Sequence, residues 1–156
     1  MAKIILYIAT TLDGFIARKN GGVDFLFTDQ DYGYSKFYRN IDAVVMGHRT
    51  YKQSLSFGES YKGKGCYVFS RKRKGKEGNV TFVNEDVKKF TKRLKGDVWL
   101  VGGGQIIKEF LKYNLIDEYR IFVHPILLGS GISLFQANFL EIELKLVGIK
   151  KYSSGL

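Results

Sequence analysis

Short apolar runs alternate with amphipathic stretches along this chain, a pattern that predicts strands alternating with helices. The apolar runs predict six strands, at residues 3–10, 43–46, 66–70, 80–83, 97–101 and 117–124, and a last one in the tail at residues 144–152. Apolar positions three and four residues apart predict helices at residues 29–40, 47–55, 86–94 and 105–113. A short extended piece at residues 15–17 interrupts the loop that follows the first strand.

This order of elements predicts a three-layer α/β domain. Strands separated by helices favour a mixed, mostly parallel sheet with helices on both faces, and the strand-only tail predicts an antiparallel addition at one edge. The length of 156 residues fits one domain, residues 1–156, with a single core. Ligands of such sheets bind at the carboxyl ends of the strands, where the strand order reverses.

The composition argues against several classes of protein. With 45% hydrophobic residues the chain is not expected to be disordered. The single cysteine, Cys66, lies in an apolar run and is expected to be a core residue; with two histidines it cannot build a Cys/His zinc site, so no metal is predicted. The first apolar run is too short for a signal peptide, and no run approaches the roughly 20 apolar residues that span a bilayer. These features predict a soluble, cytoplasmic protein with no membrane partner.

The formal net charge is +10, and much of it comes from a basic run at residues 71–76. A basic surface can bind nucleic acid, but this run has no interleaved aromatic residues and no recognisable nucleic-acid motif. Two other interpretations stay open: a solvated loop, or a loop whose first residues meet a phosphate group of a cofactor. We rank nucleic-acid binding below both and predict no nucleic-acid partner.

The first of two glycine-containing turns lies at residues 46–51. A buried strand ends at Gly47 and a helix follows at once, so unpaired N–H groups and the positive end of the helix dipole are offered to an anion. Arg49 adds a guanidinium suited to phosphate, and Thr50 could cap the helix or bind an oxygen. Taken alone, the pattern is more typical of an ordinary turn with a surface arginine.

The second turn consists of Gly102, Gly103 and Gly104, between the strand at 97–101 and the helix at 105–113. One glycine suffices for a tight turn and three cost conformational entropy, so we interpret them as room for a ligand against the backbone. The spacing is neither the GxGxxG dinucleotide fingerprint nor a P-loop. Two such turns in one small domain predict a shared site that holds the diphosphate of a dinucleotide from two sides.

Five motifs in this order resemble a known family. They lie at residues 11–14 (TLDG), 46–51 (MGHRTY), 102–104 (GGG), 115–118 (LIDE) and 125–131 (PILLGSG). Together they resemble the dihydrofolate-reductase-like proteins of bacteria, in particular the reductase domain of riboflavin-pathway deaminase-reductases and its stand-alone homologues. The resemblance runs from residue 4 to about residue 152 and implies a dihydrofolate-reductase-like fold.

The resemblance also implies NADPH as cofactor and assigns residues to it. Ala9 and Ile16 would line the nicotinamide pocket, and Ser70 and Arg71 would grip the adenosine 2′-phosphate that separates NADPH from NADH. The residues that would contact phosphates are Gly47, His48, Arg49 and Thr50 at the first turn and Gly102, Gly103, Gly104, Gln105 and Ile106 at the second.

Asp13 and Glu118 would lie near the substrate by the same resemblance and are the candidate catalytic residues. Taken as residues alone, Asp13-Gly14 could equally be a plain turn, and Glu118 could be a solvated residue at a strand end. True dihydrofolate reductases place an acid in the first helix, and the matching place here falls near Gly33, with Asp29 and Asp31 close by. That departure puts folate reduction in doubt.

Two smaller departures concern the rest of the pattern. Phe25 stands where relatives usually carry a tryptophan, and the chain has no His/Cys/Cys zinc signature, so deamination is not predicted.

The function predicted is transfer of a hydride from NADPH to a small heterocycle, with a ribosylaminopyrimidine phosphate favoured by the resemblance. Asp13, Asp31, Glu118 or water would supply the proton. The alternatives are dihydrofolate or pterin reduction and a nucleotide-binding pseudoenzyme; a basic nucleic-acid-binding module ranks below them. The strand at residues 117–124 is expected at a sheet edge, where it could pair two copies into a homodimer.

Overall fold

The computed structural model describes residues 1–137 and 139–156. Its strands are β1 (Ala2–Thr11), β2 (Phe15–Ala17), β3 (Ala43–Gly47), β4 (Gly65–Phe69), β5 (Gly75–Glu77), β6 (Val80–Val83), β7 (Gly96–Gly102), β8 (Glu118–His124) and β9 (Ile132–Ser133). Its helices are α1 (Tyr34–Asn40), α2 (His48–Ser56), α3 (Val87–Lys92) and α4 (Gly104–Lys112).

One seven-stranded sheet organises the molecule, in the strand order β5-β6-β4-β3-β7-β1-β8. All neighbours pair in parallel except β5 and β6, which are antiparallel. Strands β2 and β9 form a separate antiparallel pair. The chain builds outward from β3 to one edge and then returns to insert β7 between β3 and β1. The strand order therefore reverses in the middle of the sheet, beside β3 and β7.

Helices cover both faces of this sheet, which confirms the predicted three-layer architecture. Successive residues of a strand face opposite sides, so Val45 packs with α3 and α4 while Val44 packs with α1 and α2. Phe90 of α3 and Phe110 of α4 fill the first of these layers and are fully buried. Burial on both faces explains why the central strands read as continuous apolar runs.

The first helix is shorter than predicted. The sequence places a helix at residues 29–40, whereas α1 begins only at Tyr34. Tyr32 and Gly33 have φ angles of 54° and 82°, in the left-handed region that an α-helix cannot contain. The carboxylate of Asp31 accepts hydrogen bonds from the Ser35 hydroxyl (2.7 Å) and the Ser35 N–H (3.2 Å), and so closes this turn before the helix.

The predicted last strand is wrong. Residues 144–152 contain no strand, and Tyr152 packs edge-on against Tyr32 with 4.7 Å between the ring centroids. The antiparallel edge of the sheet comes instead from β5, inside the basic run. Its sequence, Gly75-Lys76-Glu77, has no apolar alternation, so periodicity could not reveal it.

Two expectations from composition can be compared with the structure. Cys66 is a core residue, and burial raises the pKa of its thiol to about 11. Within the described residues, none of the helices combines the length and the apolar character that crossing a membrane requires.

Candidate functional site: a crevice between two helix starts

The two glycine turns lie side by side at the carboxyl ends of neighbouring strands. Gly47 ends β3, Gly102 ends β7, and Met46 pairs with Gly102 across the sheet. A β-carbon built on Gly47 would lie 3.9 Å from the backbone nitrogen of Gly103. Helix α2 continues from β3 on one face and α4 from β7 on the other, so the chain leaves the two strands in different directions. Such a point is where open α/β sheets form their ligand crevice.

Neither of the two helix starts in this crevice is capped by a side chain. Gly47 and Gly103 are the N-cap residues of α2 and α4, and neither helix has an acidic residue in its first turn. Helix α3 differs, because the Asp86 carboxylate accepts hydrogen bonds from the N–H groups of Lys88 and Lys89. Among the described residues, no side chain caps the first-turn N–H groups of α2 and α4 in this way, and two adjacent positive dipole ends suit a diphosphate.

The three consecutive glycines serve different purposes. Gly102 has a φ of +127°, a conformation that residues with side chains rarely adopt. A β-carbon on Gly104 would lie 2.9 Å from the Ser133 carbonyl oxygen and would overlap the Gln136 amide. A β-carbon on Gly103 would meet only the Thr50 hydroxyl, at 3.3 Å. The interpretation of all three as room for a ligand is therefore wrong for Gly104, which makes room for the chain itself.

The other residues predicted at these turns divide between surface and core. Arg49 and Gln105 are exposed in the first turns of α2 and α4, and Thr50 lies half-buried beside Gly103. Ile106 is only 6% exposed and packs in the main core, but its Cγ2 atom borders the crevice, 4.0 Å from where a β-carbon on Gly47 would lie.

His48, the first residue of α2, lies among several basic side chains. The pKa of its imidazole lies below the ordinary value, because burial disfavours the charged ring and because Lys52, Arg73 and Lys72 repel it. No carboxylate contributes to this shift. A group of negative charge placed there would therefore meet attraction from several cations.

The basic run folds back toward this position. Ser70 follows β4, whose last residue Phe69 pairs with Gly47. The Ser70 hydroxyl accepts hydrogen bonds from the N–H groups of Lys72 and Arg73, both at 3.2 Å, so it shapes the loop. The sequence singled out Ser70 and Arg71, but the cations that reach the field of His48 are Lys72 and Arg73. The β5 hairpin that follows them carries no periodic signal in the sequence.

An aromatic cavity of about 350 Å³ opens beside the crevice. The residues that line it come from β1, β7, β8, the start of α1, the loops around residues 26 and 32, and residue 156, and include Tyr7, Ala9, Phe27, Tyr34, Trp99, Val101, Phe122 and His124. Val101 directly precedes the glycine turn, which joins the cavity to the crevice. Ala9 lines this cavity, whereas Ile16, predicted to share a pocket with it, packs against the main core and is not among the lining residues.

A second cavity of about 410 Å³ continues the first along the sheet toward its other rim. The two share Tyr7, Tyr32 and Phe122, and the second also contains Lys36 and Arg120. Together they form one groove, which we call the aromatic groove, with a mainly apolar end near the glycines and a cationic end beyond Tyr7.

His124 is a lining residue that sequence reasoning missed. Its side chain is buried, with 3% of the residue exposed. Nε2 accepts a hydrogen bond from the Phe27 N–H (3.1 Å). The proton of the ring is therefore on Nδ1, which donates to the Phe122 carbonyl (3.2 Å). The neutral ring thereby attaches the loop at Phe27 to the end of β8. Only the position of His124 at the end of a predicted strand could have indicated this role.

Asp13 lies at the edge of the sheet where the parallel strands have their carboxyl ends, and both of its side-chain oxygens accept hydrogen bonds. Oδ1 accepts from the Thr11 hydroxyl (2.6 Å) and the Leu128 N–H (3.1 Å), and Oδ2 accepts from the Gly129 N–H (2.8 Å). These hydrogen bonds, that of Thr11 foremost, lower the pKa of the carboxyl group. At neutral pH Asp13 is therefore an ionised acceptor and not a proton donor.

Glu118 is not brought to the crevice. It begins β8 opposite Ile5, near the amino ends of the strands, and forms ion pairs with Lys3 (2.6 Å) and Arg120. The hydrogen bond from Lys3, followed by that from Arg120, lowers the pKa of its carboxyl group. Its position supports the interpretation as an ion-pairing residue at a strand end, away from the crevice.

The two aspartates near the predicted first helix also form hydrogen bonds with neighbouring side chains. Asp31 is bound to Ser35, Asp29 accepts a hydrogen bond from the Tyr32 hydroxyl, and neither is among the residues that line the groove. Phe25 packs edge-on near His124, with 6.4 Å between the ring centroids.

Comparison with known sequences identifies related proteins. The model of the RibD C-terminal domain matches residues 68–156. YwjB of Bacillus subtilis strain 168 is 39% identical over 164 residues, which cover 99% of this chain and 94% of that protein. YyaP of the same strain is 36% identical over 171 residues, covering 99% of this chain and 91% of that protein. Both relatives are named as uncharacterized proteins.

Solved structures with the same fold come from riboflavin biosynthesis. A candidate riboflavin biosynthesis protein of Shewanella sp. PV-4 matches with a TM-score of 0.83 and 29% identity, covering 98% of this chain and 94% of that one. The deaminase/5-amino-6-(5-phosphoribosylamino)uracil reductase of Thermotoga maritima matches with a TM-score of 0.73 and 17% identity, over 97% of this chain and 54% of that one. RibD of Acinetobacter baumannii gives 0.67 and 17%, over 94% and 52%.

The last two matches establish the fold alone, and this chain spans about half of their length. The dihydrofolate-reductase-like fold predicted from the motifs is confirmed. The family match and the Shewanella structure make this chain similar to proteins of riboflavin biosynthesis.

Proposed function

This chain belongs to the RibD C-terminal domain family, and on that premise we propose that it is an NADPH-dependent reductase of a small heterocycle. The observation that carries the proposal is the crevice between Gly47 and Gly103, where two uncapped helix starts meet beside an aromatic groove. A dinucleotide needs a diphosphate site and a flat apolar pocket next to it, and the crevice and groove together supply both.

The residues around the crevice fit the phosphates of NADPH. The first-turn N–H groups of α2 and α4 would bind the diphosphate, with Arg49 and Thr50 at its side. Lys72 and Arg73 would meet the 2′-phosphate, because both lie near enough to His48 to repel its charged ring; Arg73 also forms an ion pair with Glu77. The basic run then serves the cofactor rather than nucleic acid.

The groove would hold the two rings that react. NADPH supplies a hydride when bound, and the contribution of the protein is to hold donor and acceptor at near-attack distance. Ala9 and Val101 lie at the end of the groove next to the glycines and would contact the nicotinamide. Tyr7 and Trp99, whose rings meet edge-on at 5.9 Å, would contact the heterocycle farther along.

The proton would come from water or from a tyrosine hydroxyl. The residues that line the cavity beside the crevice include no aspartate or glutamate side chain in the part of the chain that the structure describes. Burial raises the pKa of Tyr7 to about 12, so its hydroxyl stays protonated and can donate to an oxygen or nitrogen of the substrate. The lack of an acid in this cavity favours a pyrimidine over dihydrofolate as substrate.

The substrate we propose is of the 5-amino-6-(5-phosphoribosylamino)uracil type, the compound named for the Thermotoga relative. Its ring would occupy the aromatic end of the groove, and its phosphate would lie toward Lys36 and Arg120 at the cationic end. Asp97 also lines that end and would leave it with one net positive charge.

A thermal-shift titration with NADPH and NADH tests the cofactor. Stabilisation by RT ln(1 + [L]/Kd) amounts to about 2.7 kcal/mol at a hundredfold excess over Kd, and it should appear at lower concentration with NADPH than with NADH. Absence of any shift with millimolar NADPH would contradict the proposal. Binding without oxidation of NADPH in the presence of the pyrimidine, pterins or flavins would identify a nucleotide-binding pseudoenzyme.

We further propose a homodimer in the cytoplasm that pairs through the β8 edge. Strand β8 is the last of the sheet, and apolar side chains are exposed around it, among them Val123, Leu127 and Phe135. Sedimentation velocity at micromolar concentration measures the mass directly; a species of 17.8 kDa would contradict the dimer.

A further inference from the structure

The Asp13 carboxylate joins two segments that are far apart in the chain. Its three hydrogen bonds reach Thr11 in β1 and the N–H groups of Leu128 and Gly129, 115 and 116 residues away. The Leu12 N–H adds a hydrogen bond of 3.0 Å to the Ile126 carbonyl. The loop after β8 is therefore fastened to the end of β1 at one exposed carboxylate.

That loop leads directly into a segment that covers the start of α4; we call residues 126–136 the flap. Gly131 lies so close to β2 that a β-carbon would overlap the Ala17 carbonyl oxygen. The Leu134 N–H donates to the Gly14 carbonyl (2.9 Å), and the Leu134 side chain is buried in the main core. The flap is thus held at both ends by residues of the β1–β2 region.

The far end of the flap touches the proposed diphosphate site. A β-carbon on Gly104, the first residue of α4, would lie 2.9 Å from the Ser133 carbonyl oxygen and would overlap the Gln136 amide. Gly104 adjoins Gly103, whose backbone borders the crevice. An unbroken series of contacts therefore runs from Asp13 through the flap to the helix start that would bind the diphosphate.

We infer that Asp13 is a positioning residue that holds the flap against α4 and thereby sets the affinity of the crevice for the dinucleotide. This inference rests on the proposed function. Asp13 itself touches neither the glycine turns nor the cavity beside them. Its effect on the cofactor passes through Leu128, Gly129 and the flap.

The series Asp13→Asn and Asp13→Ala tests the inference, with Glu109→Gln as control. Asparagine keeps one acceptor oxygen and alanine keeps none, so the dissociation constant of NADPH should rise in the order wild type, Asp13→Asn, Asp13→Ala, to about tenfold in the last. Glu109 is an exposed carboxylate on α4, and its replacement makes the same charge change without touching the flap. The control should bind NADPH as the wild type does.

Two further measurements separate a positioning role from a catalytic one. The loss should appear in KM for NADPH, with kcat and its pH profile kept; a catalytic acid would instead lose about 10²–10⁴-fold in kcat and one limb of the profile. Hydrogen exchange of the amides in residues 126–136 should accelerate in Asp13→Ala even without cofactor.

The outcomes are distinguishable. Unchanged amide exchange would overturn the role of Asp13 in holding the flap, and faster exchange with unchanged NADPH affinity would overturn its link to the crevice. Wild-type protein that does not bind NADPH at all would overturn the proposed function, and the link to the cofactor with it; the exchange measurement would still decide whether Asp13 holds the flap.

Discussion

Replacing Gly103 by alanine should abolish NADPH binding while leaving the fold intact. The new methyl group would project between the starts of α2 and α4, where it meets only the Thr50 hydroxyl at 3.3 Å. The backbone at Gly103 has φ −86° and ψ −156°, an extended conformation that alanine also adopts. Without ligand the protein should therefore tolerate the change.

Two opposing effects set the stability of the unliganded variant. Alanine is a poorer N-cap than glycine by about 1 kcal/mol, and it stabilises by about 0.4–1 kcal/mol through the smaller entropy of the unfolded chain. These nearly cancel, so the melting temperature should move by no more than about 2–4 °C, the shift that about 1 kcal/mol produces in a chain of this size.

The assay is a thermal-shift titration of both proteins with NADPH. At a hundredfold excess over Kd the wild type should gain about 2.7 kcal/mol, and hence about 5–11 °C, while Gly103→Ala gains nothing. Gly148→Ala is the matched control, because a β-carbon there has nothing within 4 Å. A Gly103→Ala protein that keeps the full shift would refute the position of the diphosphate, and so would a control that loses it.

Three further predictions concern charge, the groove and the core. Lys72→Ala should raise the pKa of His48, because one of the cations that repel its charged form is removed; an NMR titration of the ring measures this pKa. The same change should weaken binding of NADPH but not of NADH, which the two dissociation constants show. His124→Ala leaves the Phe27 N–H without its acceptor and should lower the free energy of unfolding in urea by about 1–3 kcal/mol; an unchanged value would contradict the bridging role. Cys66, buried and with its pKa raised to about 11, should react with a thiol reagent at neutral pH only at the rate of unfolding, so rapid labelling of the native protein would disagree with its place in the core.

Local sequence determined the elements whose side chains alternate or repeat. The strands at residues 43–47 and 96–102 are mainly apolar on both faces because the sheet is covered on both sides, and such apolar runs can be recognised in the sequence. The sequence predicts a start of α1 at residue 29 rather than at Tyr34, because an apolar stripe cannot reveal that Tyr32 and Gly33 have left-handed backbone conformations. The sequence pattern does not predict strand β5, because its pairing with β6 depends on a hairpin and not on apolar residues.

The three-dimensional arrangement determines which residues lie together and which role each of them then has. The sequence indicated two anion-binding turns, but the return of the chain that inserts β7 beside β3 is what brings them together, so that a β-carbon on Gly47 would lie 3.9 Å from the Gly103 nitrogen. Long-range hydrogen bonds likewise changed Asp13 from a candidate acid into an acceptor for the flap, and the register of β8 left Glu118 near the opposite rim. Residue type limits the chemistry that a side chain can perform; its partners, often a hundred residues away, select among those possibilities.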